Sequence, residues 1–238
     1  MNGFLYGAVL QWKLDLRSRT MLITCYAVPL VFFTIMGGIF TSIMPETVDT
    51  LIPSMTVFAV SMGALIGLPP SLAEIYGSDI KNAYQANGVP LALGLVLTNI
   101  SAFVHLFIMS SILYVIAPIA FDVKIPENPG AHFCGLIILI AVSLGVASII
   151  GLAVKDMAST SMFSILIFLP STMLSGIMFP ADLLPKALRI AGKLFPASWG
   201  YAFMAENTFT WHNLWPLFVI FIIAILLCAI LLKRIETR

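Results

Sequence analysis

Uninterrupted apolar runs recur along this chain of 238 residues, and each is close to the roughly 20 residues that a helix needs to cross the hydrocarbon core of a bilayer. Hydrophobic residues make up 60% of the chain and charged residues only 10%, whereas soluble domains carry about 25% charged residues. The sequence therefore predicts an all-α integral membrane protein with one transmembrane domain over residues 1–238. Because the net charge is only +1, no nucleic-acid partner is expected.

Six of these runs are predicted to cross the membrane, at about 21–43, 51–72, 91–117, 132–154, 157–179 and 214–232. Cytoplasmic flanks of membrane helices carry an excess of Lys and Arg. Of the 12 such residues, the ones that fall on the side opposite the chain ends are Lys124, Lys186, Arg189 and Lys193. We therefore expect a multi-pass protein of the inner or plasma membrane with both termini in the cytoplasm.

Residues 1–19, ahead of the first span, have an amphipathic helical pattern. The apolar face is predicted to contain Leu5, Ala8, Val9, Trp12 and Leu16, and the remaining surface Gln11, Lys13, Asp15 and Arg17. This pattern is typical of an interfacial helix whose cations face lipid headgroups, with the indole at the depth where Trp accumulates. A frayed polar tail is the alternative.

A polar segment at residues 74–90 connects the second and third spans. Ser78 is of a residue type that caps helices, and Gly88 followed by Pro90 is typical of a helix end, so a short helix to about Ala86 is predicted. On the cytoplasmic side, such a helix is suited to docking another protein. A solvated loop without a special role is the alternative.

Residues 180–207, after the fifth span, are too apolar for a free loop. A short helix is predicted from Pro185 to Phe195, and its three cations share one face opposite an apolar stripe: Leu184, Leu188, Ala191 and Phe195. Pro196 interrupts this helix, and Ser198 is expected to cap a second one. The pair is predicted to form a helical hairpin that re-enters the outer leaflet.

The order of these elements resembles the type-2 permease family of bacterial ATP-binding-cassette exporters over essentially the whole chain. The most specific similarity lies in the stretch from Leu174 to Pro180, with Leu184-Pro185 and Phe195-Pro196 following it. The connecting loop is less similar, because Gly77-Ser78-Asp79 replaces the usual Gly-Thr and acidic residue. A basic residue that usually follows the hairpin is also missing, and Glu206 lies nearby instead.

The resemblance implies a permease that exports a hydrophobic or amphipathic substrate, such as a drug, peptide antibiotic, lipid or glycan, and a role in drug or antibiotic resistance. It implies two permease copies, most simply a homodimer in contact with membrane lipid, and separate ATPase subunits that carry ATP and Mg. The residues implied in coupling to the ATPase are Glu74, Gly77, Ser78, Asp79, Lys81 and Tyr84. Those implied in the outer gate are Ser175, Gly176, Phe179, Pro180, Pro185, Pro196, Trp199 and Tyr201.

The residues themselves predict no catalytic or metal site. The only Gly-Lys pair, Gly192-Lys193, lacks the rest of a phosphate-binding loop, so no cofactor is expected on this chain and ATP hydrolysis is expected on a partner. An ion-driven secondary transporter or a channel-like protein is the alternative; such transporters often carry mid-membrane charges, which are scarce here.

Three polar side chains of the spans are the remaining candidates. His105 and Asn99 in the third span are possible residues of the substrate path, or form hydrogen bonds between helices. His132 lies at a span end and is expected at the interface.

Overall fold

The computed structural model describes residues 3–154, 156–178 and 183–237. Phe179 and Pro180, which the sequence placed in the outer gate, lie outside the described residues, and so does the predicted end of the fifth span. Within the described ranges the regular structure is helical. Six helices are long and apolar enough to cross a membrane, which confirms the predicted number of spans.

The helices are labelled in chain order. The six candidate spans are α2 (Arg19–Ser42), α3 (Pro45–Gly77), α5 (Leu91–Phe121), α6 (Pro129–Ala153), α7 (Met157–Leu174) and α10 (Trp211–Glu236). The shorter helices are α1 (Gly3–Arg17), α4 (Ile80–Ala86), α8 (Lys186–Gly192) and α9 (Pro196–Glu206). Six spans return the chain to its starting side; we call the side with both chain ends the terminal side and the opposite one the loop side.

Helix α3 is the central element of the bundle. In the most apolar 18-residue stretch of α3, 94% is buried, compared with 28% in the corresponding stretches of α7 and α10. Every residue from Leu51 to Leu65 is buried. It contacts α2, α5, α6, α7 and α9. The outer spans therefore keep one face toward lipid, whereas α3 is surrounded by protein.

Two helices extend beyond the spans predicted from hydropathy. Helix α3 continues to Gly77, so Glu74 and Gly77 lie in its last turns and not in a loop. Helix α5 continues to Phe121, and Asp122 ends it in the left-handed region with φ of 53°. Hydropathy follows the hydrocarbon thickness, whereas backbone hydrogen bonds and caps determine where a helix ends.

Candidate functional sites at the two ends of the bundle

Helix α4 forms the predicted short helix on the terminal side, but its beginning differs from the prediction. Asp79 occupies the N-cap position and makes no side-chain cap. The Ser78 hydroxyl instead accepts a hydrogen bond of 3.3 Å from the Ile80 N–H, and Asp79 accepts one of 3.2 Å from Asn82. Gly88, with φ of 66°, terminates the segment as predicted.

Two tyrosines make the contacts around the α4 segment: Tyr76 joins the spans on either side of it, and Tyr84 joins α4 to α5. The buried Tyr76, near the end of α3, donates a hydrogen bond of 2.6 Å to the carbonyl oxygen of Leu91, the first residue of α5. Tyr84 of α4 packs over Gly94 of α5, where an added Cβ would lie 3.0 Å from the tyrosine ring. Helix α4 is therefore held against α5 next to the point where α3 and α5 are joined.

The remaining coupling candidates surround this braced helix. Glu74 is exposed on α3, and Gly77, Ser78 and Asp79 are exposed at the turn into α4. Lys81 lines a cavity of about 250 Å³ together with Gly77 and with Arg234 of α10. The structure thus brings these six residues to one end of the bundle, next to the last turns of α10.

On the loop side, α7 ends in a close contact with α8. The Ser175 hydroxyl donates to the Thr172 carbonyl over 2.8 Å, and Gly176 has φ of 90°, a conformation that side chains with a Cβ disfavour. Gly192 of α8 approaches the end of α7 so closely that an added Cβ would lie 2.5 Å from the Leu174 carbonyl oxygen. The end of α8 is therefore seated on the end of α7.

The turn between α8 and α9 is fixed by side chains from α9. The prediction that Ser198 caps α9 is wrong, because α9 begins at Pro196 with Phe195 in the N-cap position. The Ser198 hydroxyl instead donates to the Gly192 carbonyl over 2.6 Å, and the Trp199 indole N–H donates to the Lys193 carbonyl over 2.8 Å. Proline supports a helix at its first position because its missing N–H would have no partner there.

Helix α9 packs into the bundle, against α3, α6 and α10. Phe203 is fully buried against Gly135 of α6, where an added Cβ would lie 2.6 Å from the ring. A Cβ added at Gly200 would also lie 2.6 Å from the side chain of Leu139. Leu139 is ten residues along α6 from its loop-side start, or about 15 Å at the helical rise. Tyr201, like Trp199, is half-buried.

The rest of the protein covers the predicted apolar stripe of α8 only in part. Leu188 is 44% exposed, and Leu184, Ala191 and Phe195 are half-buried. Pro185 is exposed in the N-cap position. One face of α8 is therefore open to the surroundings of the bundle, and its buried attachment is Gly192.

His105 belongs to a buried polar cluster between α1, α2 and α5. Its Nδ1 lies 2.8 Å from the Tyr26 hydroxyl, and its ring stacks on Trp12 with centroids 4.1 Å apart. Four residues earlier on α5, Ser101 donates a short hydrogen bond to Asp15 of α1. These contacts match the interhelical alternative of the two predicted for His105.

Helix α1 packs on the spans through Asp15, and leucines of its apolar face are exposed. Asp15 is only 8% exposed, whereas Leu5 and Leu16 are 53% and 45% exposed. Gln11 lies one turn from Asp15 and donates to it over 3.0 Å. Burial raises the pKa of Asp15, which the hydrogen bonds from Ser101 and Gln11 partly offset. A polar stripe therefore faces protein, and the leucines face outward.

Asn99 and His132 also make interhelical contacts. Asn99 donates over 3.0 Å to the buried Ser148 of α6, at the wall of an apolar groove of about 550 Å³ between α5, α6 and α10. His132, which was expected at the interface, lies in the first turn of α6 and is fully buried, with its ring against that of Tyr114 of α5.

The fold and these sites define a polytopic helical membrane protein with a braced helix at one end and a packed helix pair at the other. A family model described as ABC-2 type transporter matches residues 5–209, which is most of the chain. The protein therefore belongs to the ABC-2 type transporter family. It is the membrane component of an ABC transporter, a permease that is not itself catalytic and that associates with an ABC ATPase. Comparison with curated proteins gave no match.

The buried cluster leads to the prediction that Asp15 attaches α1 to the spans. Asp15→Ala leaves the Ser101 hydroxyl and the Gln11 amide without their acceptor, which should destabilise the protein by about 1–3 kcal/mol. Asp15→Asn keeps a carbonyl oxygen and should remain close to the wild-type protein. Thermal unfolding in detergent measures the difference, with the exposed Lys13→Ala as control. Equal midpoints for Asp15→Ala and the wild-type protein would show that α1 is not docked through Asp15.

Proposed function

We propose that this chain is the permease subunit of an ATP-driven exporter that moves a hydrophobic or amphipathic substrate out of the cytoplasm. The observation that carries the proposal is α4, a short exposed helix braced to two spans in a chain of the ABC-2 family. Separate ATPase subunits, which bind ATP and Mg, dock on α4. Both chain ends and α4 then lie in the cytoplasm, and the protein resides in the inner or plasma membrane.

Two permease copies form the translocation path in this proposal. Within one copy, the region around α3 is filled with side chains, since every residue from Leu51 to Leu65 is buried. A path between two copies requires no opening of this core. The chain presents apolar surface for such a contact, for example on α7, where Leu166 is 58% and Met162 56% exposed.

Docking on α4 explains how ATP hydrolysis would reach the membrane region. Its exposed residues, among them Asn82, Ala83 and Gln85, offer a surface to the ATPase. The Tyr84 contact with Gly94 and the hydrogen bond from Tyr76 to Leu91 then carry a displacement into α5 and α3. We assign Glu74, Ser78, Asp79 and Lys81 to the same docking region.

Breaking α4 tests this coupling. Ala83→Pro removes the hydrogen bond of 3.0 Å from the Ala83 N–H to the Asp79 carbonyl and disrupts the helix. We expect loss of copurification with the ATPase in mild detergent, measured by mass spectrometry, and loss of substrate-stimulated ATP hydrolysis. Lys186→Pro, at a first helical position on the loop side that tolerates proline, is the control. Retention of both properties in Ala83→Pro would contradict the docking role.

Cysteine labelling tests the proposed orientation. The test uses a variant in which Cys25, Cys134 and Cys228 are replaced. In that background, Glu46→Cys and Glu127→Cys, both at exposed positions on the loop side, should react with a membrane-impermeant maleimide in intact cells. Gln85→Cys on α4 should react only after permeabilisation. Labelling of Gln85→Cys in intact cells would reverse the orientation, and with it the assignment of α4 as an ATPase dock.

We further propose that α8 and α9 form a re-entrant outer gate, and that α1 lies at the cytoplasmic interface. The depth of Gly200 along α6 supports the gate, as does the seat of Gly192 on the end of α7. Ser175, Gly176, Pro185, Pro196, Trp199 and Tyr201 belong to this structure. With α9 packed in the bundle and the end of α8 seated on α7, the pair keeps the loop side closed until α7 moves.

Hydrogen exchange in nanodiscs tests the gate. Amides of residues 188–193 should be protected in the wild-type protein, because the helix is seated in the membrane. Gly192→Ala should accelerate their exchange, since its Cβ would lie 2.5 Å from the Leu174 carbonyl oxygen and displace α8. Gly38→Ala is the matched control, because open space surrounds its added Cβ. Exchange at the rate of a free peptide in the wild-type protein would refute the gate.

A further inference from the structure

An apolar groove lies between α6 and α10, and one cation lies at its loop-side end. Its volume is about 420 Å³, within the range of roughly 300–1,000 Å³ that is typical of small-molecule sites. Its walls include Val146, Ile149, Val219 and Ile223 from the two spans. The cation is Lys193, in the turn after α8.

The position of Lys193 is fixed by the contacts of the turn. Its carbonyl accepts the Trp199 indole N–H over 2.8 Å, and the preceding Gly192 is buried against α7. The ammonium lies 5.6 Å from the centroid of the Trp199 ring. Among the described residues no carboxylate forms an ion pair with it. A cation is thus held over an aromatic ring beside an apolar groove.

The groove also lies at the level of the membrane that suits a bound lipid. Trp215 lines it within the first turns of α10, and Trp residues accumulate where headgroups meet the hydrocarbon. Ile223 lies eight residues further into the same span, about 12 Å at the helical rise. A cation and indoles therefore mark one end of the groove, and aliphatic side chains continue from it toward the bilayer centre.

We propose that this groove binds a membrane phospholipid, with the phosphate at Lys193 and one acyl chain along the aliphatic walls. The phosphate accepts a charge-assisted hydrogen bond from the Lys193 ammonium, which is stronger than a hydrogen bond between neutral groups. A second copy of the chain would have to bring its own anion to the same point, whereas every phospholipid carries one. The bound lipid fills the space between α10 and α6 and holds the turn between α8 and α9 in place.

Photolabelling tests the site without ATPase or transported substrate. The protein is reconstituted in phosphatidylcholine nanodiscs with phosphatidylglycerol that carries a diazirine in one acyl chain, and labelled peptides are identified by mass spectrometry. We expect labelling to concentrate on the groove face of α10 around Val219 and Ile223. Lys193→Gln should reduce it about tenfold, the effect of losing one charge-assisted hydrogen bond. Val219→Trp, which fills the groove, should reduce it similarly.

Each variant has a matched control. Lys186→Gln removes a cation from exposed α8, and Ile222→Trp adds the same bulk to a lipid-facing position of α10 that lines neither this groove nor the one beside Asn99. Both should label like the wild-type protein. Equal labelling of Ile222 and the groove face would indicate ordinary boundary lipid and overturn the proposal. Unchanged labelling in Lys193→Gln and Val219→Trp, or a crosslink to a second copy at Val219, would also overturn it.

Discussion

The burial of α3 is the constraint on which the rest of the bundle depends. Lipid is as apolar as the side chains of the spans, so helices associate there through close packing and hydrogen bonds. Helix α3 meets this requirement on all sides: it packs on α6, where Gly151 leaves room for the Pro69 carbonyl oxygen, and an added Cβ would lie 2.9 Å from that atom. The other spans need only one packed face, and α7 and α10 accordingly remain largely exposed. Their exposed faces are available to lipid and, in the proposed transporter, to a second copy.

Hydropathy predicted the number of spans because the hydrocarbon thickness imposes a helix length that few other structures share. It did not predict where α3 and α5 end, because both continue beyond the apolar run until a turn residue stops them, as Asp122 does for α5. The segment 74–90 was read correctly as containing a short helix that ends near Gly88. The N-cap residue of this helix was not predicted correctly. Ser78 and Asp79 are equally good candidates from residue type alone, and the geometry of the preceding α3 decides between them.

The face of α1 shows a different limit of pattern analysis. The apolar pattern did not show that Asp15 packs on α5, where Ser101 donates to it, or that Trp12 stacks on His105 of the same helix. The spacing of Gln11 and Asp15, one helical turn apart, was the available signal for a joint polar contact. The partner on α5 is 86 residues away from Asp15 in sequence, and a single sequence does not pair such positions. The contact between Lys193 and Trp199 could not be predicted for a different reason: Pro196 and the turn between them determine their distance.

Helix α3 also connects the two candidate sites. Its segment Leu51–Met62 contacts α9 and its segment Leu68–Gly77 contacts α4, with a π-helical turn at Gly63–Gly67 between them. Such turns are rare single-turn bulges inside α-helices and occur frequently at functional sites. A second π-helical turn, Ile23–Ala27 in α2, packs directly against this one, and a Cβ added at Gly63 would lie 3.2 Å from the Cys25 sulfur. The contact between the two turns joins α2 to α3 between the parts of α3 that touch α9 and α4. In the proposed transporter, a displacement of α4 would reach α9 through α3.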